Sequence, residues 1–174
     1  MRLLFELDYK NYKENGTVFR RPSARAIIIN GNKLAMVYSQ KYDYYKFPGG
    51  GIDKNETKEE ALVREVAEEA GLVVINDSIK EYGLVVRKEK GFDADLAIQE
   101  NYYYFCEVED KVTNQKLDDY EDKEGFILKW VNPMEVVDTN YNHDHKEKST
   151  VLGKHMMERE AHVTEMLIFE GFIK

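Results

Sequence analysis

Residues 23–30 (SARAIIIN) and 33–40 (KLAMVYSQ) are apolar-rich runs on either side of Asn30-Gly31, a dipeptide that tolerates positive φ and favours tight hairpins. They predict an antiparallel pair. Residues 80–88 (KEYGLVVRK), 96–108 (LAIQENYYYFCEV) and 126–131 (FILKWV) carry β-branched and aromatic side chains between polar segments and predict further strands. The period then changes. Over 57–70 a ~100° step per residue gathers Leu62, Val63, Val66, Ala67 and Ala70 on one arc and Glu65, Glu68 and Glu69 on the opposite one, the signature of an amphipathic helix. Thr57 with Glu60 forms a capping box at its start, and Gly71 stands where a left-handed terminal residue is wanted. A second helix is expected over much of 146–169, with Met157, Ala161, Met166 and Leu167 on its apolar stripe. The acidic stretch 109–125 (EDKVTNQKLDDYEDKEG) follows neither period and reads as an exposed connecting loop. Strands between helices predict a layered α/β/α domain. No repeat, low-complexity tract or Pro/Gly/Ser linker divides the chain, so one domain over 1–174 is expected.

Composition narrows the partners. The 43% apolar and 12% aromatic content of this 174-residue chain suits a folded protein with one sizeable core. With 25 Lys and Arg against 33 Asp and Glu, the net charge of −8 repels a nucleic-acid backbone, so long DNA or RNA is a poor fit. Small phosphorylated ligands arriving with a divalent cation stay compatible. A single cysteine, Cys106, can form no internal disulfide, which suits a reducing, cytoplasmic setting. The opening run MRLLFELDYK is interrupted by charge at Arg2 and again at Glu6, and no stretch reaches the ~18 apolar residues of a membrane span.

The carboxylate face of the first helix needs an explanation beyond solvation. Glu65 lies three residues from Glu68 and four from Glu69, and like charges at these spacings destabilise a helix by a few tenths of a kcal/mol per pair, roughly. An ordinary acidic surface is one reading. The preceding Gly49, Gly50 and Gly51 favour another, because main chain without Cβ atoms can approach an ion or phosphate closely, and clustered oxygen ligands suit hard cations such as Mg²⁺.

The segment FPGGGIDKNETKEEALVREVAEEAGL resembles the box of the Nudix hydrolase family, the MutT-like enzymes. That pattern is Gly, five residues, Glu, seven residues, then Arg-Glu-apolar-any-Glu-Glu-any-Gly-apolar. Every specified position is matched over 50–72, by Gly50, Glu56, Arg64, Glu65, Val66, Glu68, Glu69, Gly71 and Leu72. The resemblance implies a Nudix-type α/β/α sandwich around a mixed β-sheet, with a loop–helix–loop motif and a C-terminal helix. It implies hydrolysis of a nucleoside diphosphate linked to another moiety, by water attack on phosphorus with Mg²⁺ or Mn²⁺. It gives Glu68 and Glu69 as principal metal ligands with the Gly49 carbonyl beside them, Glu65 as a ligand or proton acceptor, and Arg64 as the residue orienting Glu56 or Glu65. Glu124, six residues before Trp130, matches a later carboxylate that many relatives add as ligand or base, with Glu121 and Glu100 as competitors. The base stays open between Glu65 and Glu124. The ligand expected is a small nucleoside diphosphate derivative; a homodimer is compatible with the sequence. A noncatalytic nucleotide-binding module and an RNA 5′-end pyrophosphohydrolase are the alternatives.

Outside the box, Arg25 and Arg87 fall in predicted strands, where a guanidinium facing inwards can engage a phosphate through two bonds, although structural ion pairs are commoner. Tyr102 to Phe105 read mainly as core, with base stacking as the functional alternative. His143 and His145 lack further ligands at metal-site spacing and read as a solvated loop, and His155 and His162 as helix residues. Cys106 reads as a packed thiol.

Overall fold

The computed structural model describes residues 1–149 and 151–174. Its strands and helices are β1 (Leu3–Asp8), β2 (Val18–Ile27), β3 (Ile29–Asn30), β4 (Lys33–Ser39), β5 (Tyr44–Lys46), β6 (Gly49–Gly51), α1 (Lys58–Glu65), β7 (Leu72–Val74), β8 (Lys80–Glu89), β9 (Leu96–Phe105), β10 (Val108–Val112), α2 (Asp119–Glu124), β11 (Phe126–Val131), α3 (Pro133–Asn142) and α4 (Val151–Phe169). A five-stranded mixed sheet has the order β1-β8-β9-β2-β6, with β1 parallel to β8 and β2 parallel to β9. A second sheet runs β11-β4-β3 with β5 on the edge of β4, and β7 pairs with β10.

Strand alternation sends neighbouring side chains to opposite faces, and β2 and β9 bury both. Ala24 and Ala26 of β2 and Tyr104 of β9 pack with Leu62 of α1 and with Val66 and Ala70 beyond its end. Ile27 and Tyr103 face the other way, into a core with Val136 of α3 and Val163 and Leu167 of α4. Apolar side chains on both faces of the sheet are covered by helices, which gives the α/β/α layering. Among the described residues no helix is long and apolar enough to cross a membrane.

Several expectations need correction. The hairpin over 23–30 and 33–40 is confined to its tip, where Ile29 and Asn30 pair with Leu34 and Lys33 around Gly31 at φ 58°. Residues 23–27 join the other sheet, because β2 is already flanked by β9 and β6. The apolar run 96–108 divides into β9 and the start of β10. The stretch 109–125 is no plain loop: it completes β10 and then forms α2, opened by a reciprocal Asp118–Glu121 capping box and closed by Gly125 at φ 66°. Strand β1 and helix α3 are additions, the latter capped by Asn132 with Pro133 in its first turn.

Helix α3 is fastened to β5 by Glu135, which accepts the Tyr45 hydroxyl at 2.5 Å, and by a clamp on the Tyr45 main chain. Buried Asn140 accepts the Tyr45 N–H through Oδ1 at 2.8 Å and donates Nδ2 to the Tyr45 carbonyl at 2.8 Å. Asn140→Ala leaves both main-chain groups buried without partners, so a loss of about 2–3 kcal/mol in urea unfolding is expected. A loss under about 0.5 kcal/mol would show that the clamp contributes little.

Candidate active site

Helix α1 begins as its sequence dictates. The Thr57 hydroxyl accepts the Glu60 N–H, and the Glu60 carboxylate accepts the Thr57 N–H at 2.8 Å. The uniform 100° projection fails after Glu65, because Val66–Ala70 forms a π-helical turn ending at Gly71. The wider turn carries Glu69 inward. The residue is 2% exposed, whereas Glu65 and Glu68 are partly exposed. Such turns recur where a helix must re-aim a functional side chain.

The glycine loop explains the new direction. Gly49, Gly50 and Gly51 form β6, in register with Arg25, Ala24 and Ser23 of β2. The Gly49 N–H donates to Glu69 Oε2 at 3.0 Å, and buried Lys46 forms an ion pair with Glu69 Oε1. The position a Cβ of Gly50 would fill is taken by the Glu65 carboxylate. Thus the loop is glycine where it touches both carboxylates. The Gly49 carbonyl, expected beside a metal, accepts the Arg25 guanidinium.

Arg64 ties loop to helix. It donates to both carboxylate oxygens of Glu56 at 2.8 and 2.9 Å, to Glu65 Oε1 at 2.8 Å, to Glu68 Oε2 at 3.2 Å and to the Gly51 carbonyl at 3.0 Å. The Glu56 bonds and neighbouring carboxylates hold its pKa above the ordinary arginine value, as they hold Glu56 below the ordinary carboxylate range. Lysine keeps the charge but cannot make this fork. Arg64→Lys is therefore expected to lower turnover roughly 10- to 100-fold with little change in fold; turnover within twofold of the parent would rule out this orienting role.

Glu65, Glu69 and the three glycines line a cavity of about 390 Å³ together with Glu121, Lys46, Arg25 and Arg87. Glu68 stands outside that lining at 39% side-chain exposure. Glu124, the expected outside carboxylate, is not part of the lining either; it accepts the Tyr44 hydroxyl at 2.6 Å. Glu121, one turn earlier on α2, faces Glu69 instead. Burial raises its pKa, and the like charge of Glu69 adds to the shift. Glu100 pairs loosely with Arg20 at 3.9 Å, away from the cavity.

The donor chemistry fits a hard divalent cation. All the candidate groups are oxygens, and two buried carboxylates facing one another, Glu69 and Glu121, are an arrangement a cation would relieve. Among the described residues, however, no set of three or more His, Cys, Asp or Glu side chains converges into a closed cage. The carboxylates are held by Arg64, Lys46 and the Gly49 N–H.

A family model for the NUDIX domain matches residues 19–151, which include the loop, α1, α2 and every strand of the sheets except β1 and the first residue of β2. The chain belongs to the Nudix family. Its fold is shared by a NUDIX hydrolase from Nitrosomonas europaea, at 17% identity and TM-score 0.55 over 83% of this chain and 90% of that one. A MutT NUDIX hydrolase from Burkholderia pseudomallei gives 16% identity and TM-score 0.53 over 80% and 97%. Among curated proteins, an RNA pyrophosphohydrolase from Histophilus somni is 41% identical over 54 residues, 30% of this chain and 28% of that protein. Another, from a Nitratiruptor species, is 42% identical over 57 residues, 29% of this chain and 37% of that protein. These matches span only about a third of each relative.

Other residues lining the cavity escaped the sequence pattern. The Asp118-x-x-Glu121 capping box was the available signal for α2 and hence for Glu121. Arg159 lies four and eight residues before Val163 and Leu167, on the buried stripe of α4, and is 1% exposed. Arg87 faces the cavity while forming an ion pair with Glu89 at 3.0 Å. Tyr103 and Tyr104 are core, on opposite faces, and Cys106 is a packed thiol whose pKa burial pushes up to about 12. In the HDH segment His143 is exposed, but His145 is buried against the Tyr42 and Asn140 carbonyls at 3.1 and 3.3 Å.

Proposed function

We propose that this Nudix chain, as one domain over 1–174, hydrolyses the diphosphate linkage of a small nucleoside diphosphate derivative with Mg²⁺, or Mn²⁺ in its place. The observation that carries this reading is the shared cavity of the glycine loop with Glu65, Glu69 and Glu121. Glu65, Glu68 and Glu69 would hold the cation, with Glu121 in the position expected of Glu124. Bound there, a divalent cation supplies charge neutralisation on the phosphoryl oxygens and acidifies water. The chain's own part is to position. The glycine loop admits the diphosphate to the cavity wall, Arg64 fixes Glu56 and Glu65, and Lys46 fixes Glu69. Water adds its oxygen to phosphorus, the bridging P–O bond breaks, and the water proton passes to a carboxylate, Glu65 or Glu121. A reducing, cytoplasmic setting accords with the single buried thiol.

The test is a panel of nucleoside triphosphates, nucleotide sugars, ADP-ribose and dinucleoside polyphosphates, assayed with Mg²⁺ or Mn²⁺ and again with chelator. Cleavage of at least one compound, abolished by chelation, is expected. Absence of cleavage from neutral to alkaline pH would overturn the reading. RNA 5′-end pyrophosphohydrolysis is the second reading. The names of the partial curated relatives favour it and the net charge of −8 opposes it, so a 5′-triphosphorylated RNA belongs in the panel.

A further inference from the structure

The cavity that holds the carboxylates also has a cationic lining, from Arg21, Arg25, Arg87 and Arg159. Arg21 of β2 and Arg87 of β8 stand on either side of Gln99 on one rung of the sheet, each paired in register with that residue. From α4, Arg159 reaches down to the same place, donating Nη1 to Gln99 Oε1 at 3.2 Å and to Asn101 Oδ1 at 2.8 Å. All three arginines and Gln99 line the cavity that holds Glu65 and Glu69.

Counter-charges are few. Arg159 pairs with the adjacent Glu160, and Arg87 shares Glu89 with His155. Arg25 donates to the Gly49 carbonyl instead, and among the described residues neither it nor Arg21 forms an ion pair with a carboxylate. Arg87 Nη1 and the Nε atoms of Arg25 and Arg159 are buried with no hydrogen-bond acceptor among them. Buried guanidinium N–H groups without acceptors are costly unless a ligand supplies them. Burial, with Arg159 adding its repulsion, pushes the Arg87 pKa down to about 10, whereas Glu160 holds the Arg159 guanidinium above the ordinary arginine value in spite of its burial. Arg21 also connects this wall to the hydrolytic loop, since its guanidinium lies 3.5 Å from where a Cβ of Gly51 would be.

We propose that Arg21, Arg87 and Arg159 form a metal-independent subsite for a phosphoryl group additional to the two held at the carboxylate wall, so that the favoured substrates carry at least three phosphoryl groups. Planar guanidinium forks match phosphate oxygens through paired hydrogen bonds. The carboxylate wall alone cannot hold phosphate without a cation, whereas this wall can. The substrate-class part rests on the hydrolase reading; the anion subsite does not.

The experiment is calorimetric titration of inorganic tripolyphosphate into the protein in excess EDTA, followed by kinetics with Mg²⁺. The parent is expected to bind, and Arg21→Gln, at an exposed position that leaves the core intact, to bind about 10-fold more weakly, as for loss of a charge-assisted contact. Arg87→Lys, which keeps charge and loses the fork, should fall between them, and Glu65→Gln should bind at least as tightly as the parent. In kinetics, Arg21→Gln should raise KM for a nucleoside triphosphate about 10-fold and for a two-phosphoryl nucleotide sugar less than about threefold. No binding by the parent in EDTA, or equal binding by Arg21→Gln and parent, overturns the subsite. Binding in EDTA without any hydrolysis in Mg²⁺ sinks the hydrolase reading and leaves the subsite standing; hydrolysis without binding in EDTA does the reverse.

Discussion

Glu69→Gln is expected to lower kcat on the order of 10²- to 10³-fold and to destabilise the fold as well. The two effects have different origins. Turnover falls because the cavity loses a buried negative charge beside the glycine loop. Stability falls because Lys46, with a side chain only 8% exposed, keeps its charge without a counter-ion; the lower end of the range for such a loss is about 3 kcal/mol. Adding Lys46→Met separates them. The double variant should recover most of the stability, since an apolar chain replaces a lone buried cation, and none of the activity. Urea unfolding and steady-state kinetics on both variants provide the check. If the double variant regains turnover, Glu69 serves the fold and not the chemistry.

The glycine loop should divide in a similar way between structure and catalysis. At Gly49 the backbone has φ 138°, and an added Cβ would strike the Ala24 carbonyl oxygen and the Arg25 Cα of β2. Neither can move without breaking the pairing of β2 with β6. Gly49→Ala is expected to cost about 3 kcal/mol, from strain and overlap together. At Gly50 the obstruction is only the far end of Glu65, which can swing aside. Gly50→Ala should therefore stay within about 1 kcal/mol of the parent and lose turnover roughly 10- to 100-fold, because Glu65 and its bond to Arg64 are displaced. Equal losses of stability in the two variants would contradict this division.

The box helix was readable because its signals are local: a capping residue, a glycine stop, an apolar stripe and carboxylates at short spacing. Its last turn was not. The π-helical widening at Val66–Ala70 arises from tertiary partners, Lys46 and the Gly49 N–H, that draw Glu69 inward. Strands over 80–88 and 126–131 were legible from composition, whereas the switch of β2 between sheets at Ile28 depends on which strand lies alongside. Net acidity over 109–125 concealed α2, although its capping box was present in the sequence. The cationic wall was the hardest to see, for Arg21, Gln99, Arg87 and Arg159 come from three strands and a helix and share a site only through register.

The central claim is that water attacks phosphorus in the carboxylate cavity. The most direct measurement is turnover of a cleaved panel compound in ¹⁸O-labelled water with Mg²⁺, with mass analysis of both products. One ¹⁸O atom per turnover is predicted in a phosphoryl oxygen of one product, with turnover lost on chelation and in Glu69→Gln. Label on the carbon side of the leaving group, or turnover undiminished by chelator and by Glu69→Gln, would contradict it.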